Sequence, residues 1–246
     1  YLTLPPGGPA SSPPPMIVLP HGGPHGVRDL WSFDPDAQMF ASQGFAVLQV
    51  NFRGSGGYGQ DFVAAGYEQW GRAVQNDILD ALRWAIAEGA ADPERICTYG
   101  ASFGGYSAVM LAARAPELVR CAVGVAGIYD LPRLTEAGDI AESQWGRDVI
   151  ERYIGASREA QRESSPVHHV ADIDAPVLLV HGEEDPRAPI SHARDFCRAL
   201  EDAGKVCETL YFAGEGHGFE SPANRLRAYR RALRFIRRHI SDEPVT

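Results

Sequence analysis

Residues Gly100-Ala101-Ser102-Phe103-Gly104-Gly105-Tyr106 follow an apolar run and open a segment of small residues reaching Ala115. A Gly-x-Ser-x-Gly turn suits a nucleophile for a steric reason. The serine sits on a strained strand-to-helix junction, where flanking side chains would strike neighbouring backbone. Its hydroxyl is presented at a helix N-terminus, whose free N–H groups and dipole favour developing negative charge. The same pattern also fits a glycine-rich helix start with a capping serine, so the partners of Ser102 must decide. A hydroxyl becomes a useful nucleophile when a base takes its proton and a carboxylate orients that base. In sheets of this kind the chain order is serine, acid, histidine. Val177-Leu178-Leu179-Val180-His181-Gly182-Glu183-Glu184-Asp185 runs from a strand into an acidic loop, and Gly214-Glu215-Gly216-His217-Gly218-Phe219 carries a glycine-flanked histidine further on.

Each assignment has a competitor. Glu183 and Glu184 share the loop with Asp185 and also fit a solvated acidic turn. His181 ends a strand and reads as a core-edge histidine supporting the site, while His217 is the candidate base. His168 and His169 fall in a polar stretch. None of the eight histidines lies in a metal signature such as HExxH, so no metal or cofactor is expected. A developing oxyanion needs two preorganised donors. One is the N–H of Phe103; the other comes from the loop His21-Gly22-Gly23-Pro24-His25, where glycines let backbone approach a substrate.

The elements that must position these residues alternate in type. Met16–Leu19, Phe45–Asn51, Ile96–Tyr99, Cys121–Ala126, Val177–His181 and Glu208–Phe212 read as strands. Most are apolar throughout, as expected of parallel strands covered on both faces. Between them Asp77–Ala87, Ser191–Ala203 and Asn224–Ile240 carry apolar residues at helical spacing, the last through Leu226, Tyr229, Leu233, Ile236 and Ile240. The expected architecture is a mostly parallel central sheet flanked by helices. The polar stretch from Leu131 to Ser165 breaks the rhythm and reads as a short helical insertion over the C-terminal edge of the sheet.

Composition bounds the classes. With 246 residues, 44% hydrophobic and 22% charged, the chain reads as one α/β domain over residues 1–246. No apolar run approaches the ~20 residues of a membrane helix. A balance of 23 basic against 32 acidic side chains, net −9, disfavours a nucleic-acid binder. The four cysteines (Cys97, Cys121, Cys197, Cys207) show no CxxC spacing; three lie in apolar stretches that read as core, and a reducing compartment, hence the cytoplasm, is the simpler expectation. The start at Tyr1 suggests a trimmed, processed or partial chain.

Together, His21-Gly22-Gly23-Pro24, Asn51-Phe52-Arg53-Gly54-Ser55-Gly56-Gly57-Tyr58-Gly59, the elbow Gly100–Tyr106, Ser165-Pro166, His181–Asp185 and Gly216-His217-Gly218-Phe219 resemble the prolyl oligopeptidase family of serine peptidases. The likeness is greatest to its acylaminoacyl-peptidase and dipeptidyl-peptidase branches, and it spans nearly the whole chain in the family's order. It implies an α/β-hydrolase fold, Ser102 as nucleophile, Asp185 as the carboxylate and His217 as the base. It also implies an oxyanion hole of Gly23 N–H and Phe103 N–H, and a short peptide as substrate. Other branches place a tyrosine where His21 stands, so a side-chain donor of that kind is absent. The family's N-terminal β-propeller has no counterpart in these residues. An ester substrate, or a silent binding domain of the same fold, are the alternatives.

The family's side-chain pocket is apolar, and Ile128, Leu131, Trp145 and Tyr153 are candidates to line it, though each is more often simple core or lid packing. Arg187 reads as holding the Asp185 loop, with a contact to a substrate carbonyl as the alternative. Gly54–Gly59 fits GxGxxG, but Asp61–Trp70 lacks an apolar stripe, so a tight loop near the site is expected, with no helix directly behind it. The arginines of the last helix read as a solvated face. The oligomeric state, including a homo-oligomer, is left open.

Overall fold

The computed structural model describes residues 1–7 and 12–240. Its strands are β1 (Leu2–Thr3), β2 (Met16–Val18), β3 (Ala46–Leu48), β4 (Ile96–Ala101), β5 (Val119–Val125), β6 (Val177–Gly182) and β7 (Cys207–Phe212). They form one seven-stranded sheet in the order β1-β3-β2-β4-β5-β6-β7. All neighbours run parallel except β1, which pairs antiparallel with β3. The helices are α1 (Pro35–Ser42), α2 (Gln60–Ala64), α3 (Ala73–Ala87), α4 (Phe103–Arg114), α5 (Gln144–Ile154), α6 (Arg158–Glu163), α7 (Ser191–Asp202) and α8 (Pro222–Ile240). This is the α/β-hydrolase architecture.

Strands β2 and β3 are apolar throughout and β4–β6 nearly so, because successive side chains point to opposite faces and both faces are covered. Met16, Val18 and Ile96 pack with Ile78 and Leu82 of α3 and Met110 of α4. Ile17, Cys97 and Tyr99 face the other way, toward Phe40 of α1 and Phe235 of α8. Val177 and Leu179 meet Phe196 and Leu200 of α7.

All six expected strands are present. The last helix buries Ala228, Ala232, Phe235, Ile236 and Ile240. Its buried stripe is therefore rotated from the expected one, and Leu226 is left exposed. Helix α1 carried little apolar signal; it begins where Asp34 accepts the Ala37 N–H at 2.8 Å and Pro35 fills the first turn. Contrary to expectation, the short helix α2 does open directly behind the glycine loop, although none of its residues is buried. It is too short to show a stripe.

The insertion is helical, as expected. A 3₁₀ turn at Leu131–Thr135 precedes α5 and α6, which are capped by Ser143 and Ser157. Leu131, Leu134, Ile150 and Ile154 share a core with Phe103 and Tyr106, which holds the insertion against the start of α4.

Of the cysteine reading, the core placement holds for Cys97, Cys121 and Cys197, which are buried, but the cysteines are not free thiols. Cys97 and Cys121 stand opposite one another on β4 and β5, and adjacent parallel strands bring their Cα atoms to 4.8 Å. Cys197 of α7 and Cys207 of β7 are 5.6 Å apart. Both separations suit a disulfide, and both pairs are bonded. The cysteines therefore give no support to a reducing compartment. Among the described residues no helix is long and apolar enough to cross a membrane.

Candidate active site

Ser102 occupies the junction between β4 and α4 with φ 57° and ψ −122°, a conformation that L residues rarely adopt. Its N–H donates to Val125 O at 2.9 Å and its carbonyl accepts from Tyr106 N at 3.1 Å, which pins the turn to β5 and to the first turn of α4. The flanking glycines are there for space. A Cβ on Gly100 would lie 2.4 Å from the Gly104 backbone, and one on Gly104 would lie 2.2 Å from Pro20 O. Both obstacles are backbone, so the strain has no cheap outlet. Gly104→Ala is expected to destabilise the protein by about 1–3 kcal/mol or more. Urea titration measures this, and an unchanged midpoint would contradict the packing argument.

Asp185 and His217 arrive on the loops that follow β6 and β7. The two loops are joined by Glu184 N donating to Glu215 O at 3.0 Å. Asp185 Oδ1 accepts from the backbone N–H groups of Arg187 (2.9 Å) and Ala188 (2.8 Å), closing a tight turn on its own side chain. Oδ2 is 2.8 Å from His217 Nδ1, and His217 Nε2 is 2.9 Å from Ser102 Oγ. Three residues far apart in sequence thus form one continuous hydrogen-bonded chain. The Asp185 side chain is fully buried while that of His217 is 28% exposed, leaving the imidazole within reach of a ligand. Burial pushes the Asp185 carboxyl up, but hydrogen bonds from His181, His217 and the Ala188 N–H outweigh it. They hold the group far below the usual carboxylate range.

Glu183 and Glu184 do not join this chain. Glu183 pairs with Arg194 at 2.8 Å. Arg187 reaches the insertion, its Nε 2.8 Å from Asp139 Oδ1, and so ties the Asp185 loop to it. Sequence reading gave no role to Glu215. Its buried carboxylate accepts from Glu220 N (2.7 Å), Ser221 N (3.2 Å) and Asn224 Nδ2 (2.6 Å), anchoring the His217 loop to the start of α8.

The second glycine loop lies beside the elbow: a Cβ on Gly22 would be 3.7 Å from Ser102 Cβ. Gly23 has φ 114°, which glycine accommodates freely. Among the described residues, the N–H groups of Gly23 and Phe103 have no protein acceptor. His21 is occupied elsewhere, its Nδ1 2.7 Å from Gly22 O and its Nε2 2.9 Å from Ser55 Oγ, and it stacks on Phe52. Burial lowers its pKa. Through Ser55, and through Gly26 N–Gly54 O and Gly56 N–Val27 O, the Gly54–Gly59 loop braces the glycine loop.

The four pocket candidates separate. Ile128 and Leu131 are buried in the core that contains Phe103, and Tyr153 packs against it. Trp145 is 76% exposed. It falls on the face of α5 opposite Ile154, the buried side of that helix. Next to Phe103 and Tyr153 lie aromatic residues that the sequence did not single out. Trp70 meets Phe103 edge-on at 4.8 Å and donates from Nε1 to His25 Nε2 at 2.9 Å. Tyr153 lies 4.2 Å from the His25 ring and stacks with Tyr67 at 5.5 Å. Nothing in the spacing of Tyr67 and Trp70 marks them, because a loop brings them there.

Several buried histidines make stability depend on pH. Burial lowers His25 from 6.5 to about 4, and burial, with Arg133 and His181, lowers His192 to about 3. Each binds fewer protons folded than unfolded below pH 6.5, so its contribution is lost as pH falls through that window. Asp29, raised from 3.8 to about 6 by burial and Asp34, acts in the opposite sense over its own window. Burial also lowers His21 and His239 and raises Asp36. With four lowered histidines against two raised carboxyls, the urea midpoint is expected to fall from pH 7 to pH 4.5, and less so in His192→Gln. A midpoint that rises on acidification would refute this.

The profile of the Prolyl oligopeptidase family matches residues 31–243. This chain belongs to that family. Among curated members, Dipeptidyl peptidase family member 6 of Caenorhabditis elegans is 32% identical over 237 residues, covering 94% of this chain and 32% of that protein. Dipeptidyl aminopeptidase BIII of Pseudoxanthomonas mexicana is 31% identical, covering 91% and 34%. Among solved structures, an acylaminoacyl peptidase in complex with Z-Gly-Gly-Phe-chloromethyl ketone superposes with a TM-score of 0.90 at 29% identity, over 100% of this chain and 40% of that one. A Mycobacterium tuberculosis puromycin-hydrolyzing peptidase gives 0.91 at 30% identity, over 100% and 38%. This prolyl oligopeptidase family chain thus spans about a third of the length of the curated relatives it matches.

Proposed function

We propose that the chain is the catalytic unit of a serine peptidase that cleaves short peptides through an acyl-enzyme, in the manner of acylaminoacyl or dipeptidyl peptidases. The supporting observation is the unbroken contact from Ser102 Oγ through the His217 ring to Asp185 Oδ2, at 2.9 and 2.8 Å. Ser102 Oγ attacks the scissile carbonyl carbon while His217 Nε2 takes its proton. The carbonyl π electrons move onto oxygen, which the N–H groups of Gly23 and Phe103 then stabilise. Collapse breaks the C–N bond, and the amine leaves with the proton from His217. Water, deprotonated by the same nitrogen, releases the acyl group and restores Ser102. Asp185 keeps the proton of neutral His217 on Nδ1, so Nε2 is free to accept. The partly exposed rings of Tyr67, Tyr153 and His25, linked to Phe103 through Trp70, favour an apolar side chain on the substrate.

A fluorophosphonate probe tests the nucleophile: it should label Ser102 in the wild type and fail in His217→Ala. An unlabelled wild type would overturn the proposal. Turnover of N-acyl-aminoacyl and free dipeptidyl p-nitroanilides then tests the peptidase assignment. Hydrolysis of p-nitrophenyl esters with negligible amide cleavage would make the chain an esterase instead.

A further inference from the structure

His181 is completely buried, as is the Asp185 side chain it meets. Its Nε2 lies 2.7 Å from Ala188 O and 3.3 Å from Asp185 Oδ2, while its Nδ1 has no partner among the described residues. Both neighbours of Nε2 are acceptors, so the ring proton belongs on Nε2. Ala188 in turn donates its N–H to Asp185 Oδ1 at 2.8 Å. The imidazole, the Ala188 peptide and the carboxylate therefore form a closed ring of hydrogen bonds around Asp185.

Resting on the peptidase reading above, we propose that His181 is a positioning residue: its shared Nε2–H fixes the rotation of the Asp185 carboxylate so that Oδ2 faces His217 Nδ1. Two backbone donors hold Oδ1, but they leave the carboxylate free to roll about its last torsion. His181 is the only other side chain that grips Oδ2 besides His217 itself among the described residues. It also takes up part of the charge on Oδ2. The remaining titratable groups nearby are His217 and His192, and the Arg187 guanidinium is directed onto Asp139.

Three variants test this, because they move the donor by known amounts. The amide nitrogen of His181→Gln can reach the place of Nε2. That of His181→Asn stops near Nδ1, and His181→Leu has no donor. In the Asn and Leu variants kcat should fall on the order of 10–100-fold, as for outer partners of other functional groups. KM should stay within about twofold, the mark of an interaction felt in the transition state. With Oδ2 more negative, the acid limb of kcat/KM should move up by about half a pH unit. His181→Gln should recover to within about fivefold of wild type. Equal activity in the Gln and Asn variants, or a lowered thermal midpoint with kcat and the acid limb unchanged, would overturn the proposal. Should none of the variants fold, ¹⁵N-histidine spectra of the wild type decide: the proposal requires the Nε2–H tautomer at His181, and an Nδ1–H tautomer rules it out. That spectrum is independent of turnover, whereas failure of Ser102 labelling would sink the peptidase reading alone.

Discussion

Ser102→Ala is expected to lower kcat by a factor on the order of 10⁵–10⁶ with the fold intact. The magnitude follows from the geometry. Ser102 Oγ is the group presented to His217 Nε2, and alanine leaves water as the remaining nucleophile, unoriented by the elbow. His217→Ala should cost about as much, since a hydroxyl without its base is a poor nucleophile at neutral pH. The double variant should be little worse than either single one, because residues that act as a unit are non-additive. Steady-state assays on an aminoacyl p-nitroanilide measure all three. Turnover in Ser102→Ala within a hundredfold of wild type would show that another group does the chemistry.

Asp185→Asn should cost about 10⁴ in kcat, more than its near-isosteric shape suggests. Its oxygen can still accept from the Arg187 and Ala188 N–H groups at the place of Oδ1. The amide nitrogen then falls where Oδ2 lies, so a donor faces both His217 Nδ1 and His181 Nε2. His217 relieves that conflict by turning to the tautomer with its proton on Nε2, which cannot accept from Ser102. The rate should therefore fall with little change in KM, and a loss below tenfold would contradict the role given to Asp185.

Strand-length apolar runs made the sheet legible, because burial on both faces removes any need for polar residues along β4, β5 and β6. Ser102 and His217 were marked by the glycines around them. Residue type and position put Asp185 only modestly ahead of Glu183 and Glu184, and the resemblance made the choice firm. In space the difference is plain: Asp185 is buried, while Glu183 pairs outward with Arg194. The exposure of Trp145 was not legible, because an aromatic in a helical insertion looks the same on either face. Tyr67, Trp70 and Glu215 went unnoticed because their positions depend on where loops close, which no local period encodes. The disulfides were missed for a similar reason: Cys97 and Cys121 meet through strand register, across a separation of 24 residues.

The three members of the hydrogen-bonded chain are unequally secured. Ser102 issues from the middle of the sheet, between neighbours on both sides, whereas His217 follows β7, the outermost strand on its side. Edge strands open more readily than central ones. Fraying at that rim would carry the imidazole away while the hydroxyl stayed in place, so competence would be surrendered reversibly and early, with most of the scaffold still standing.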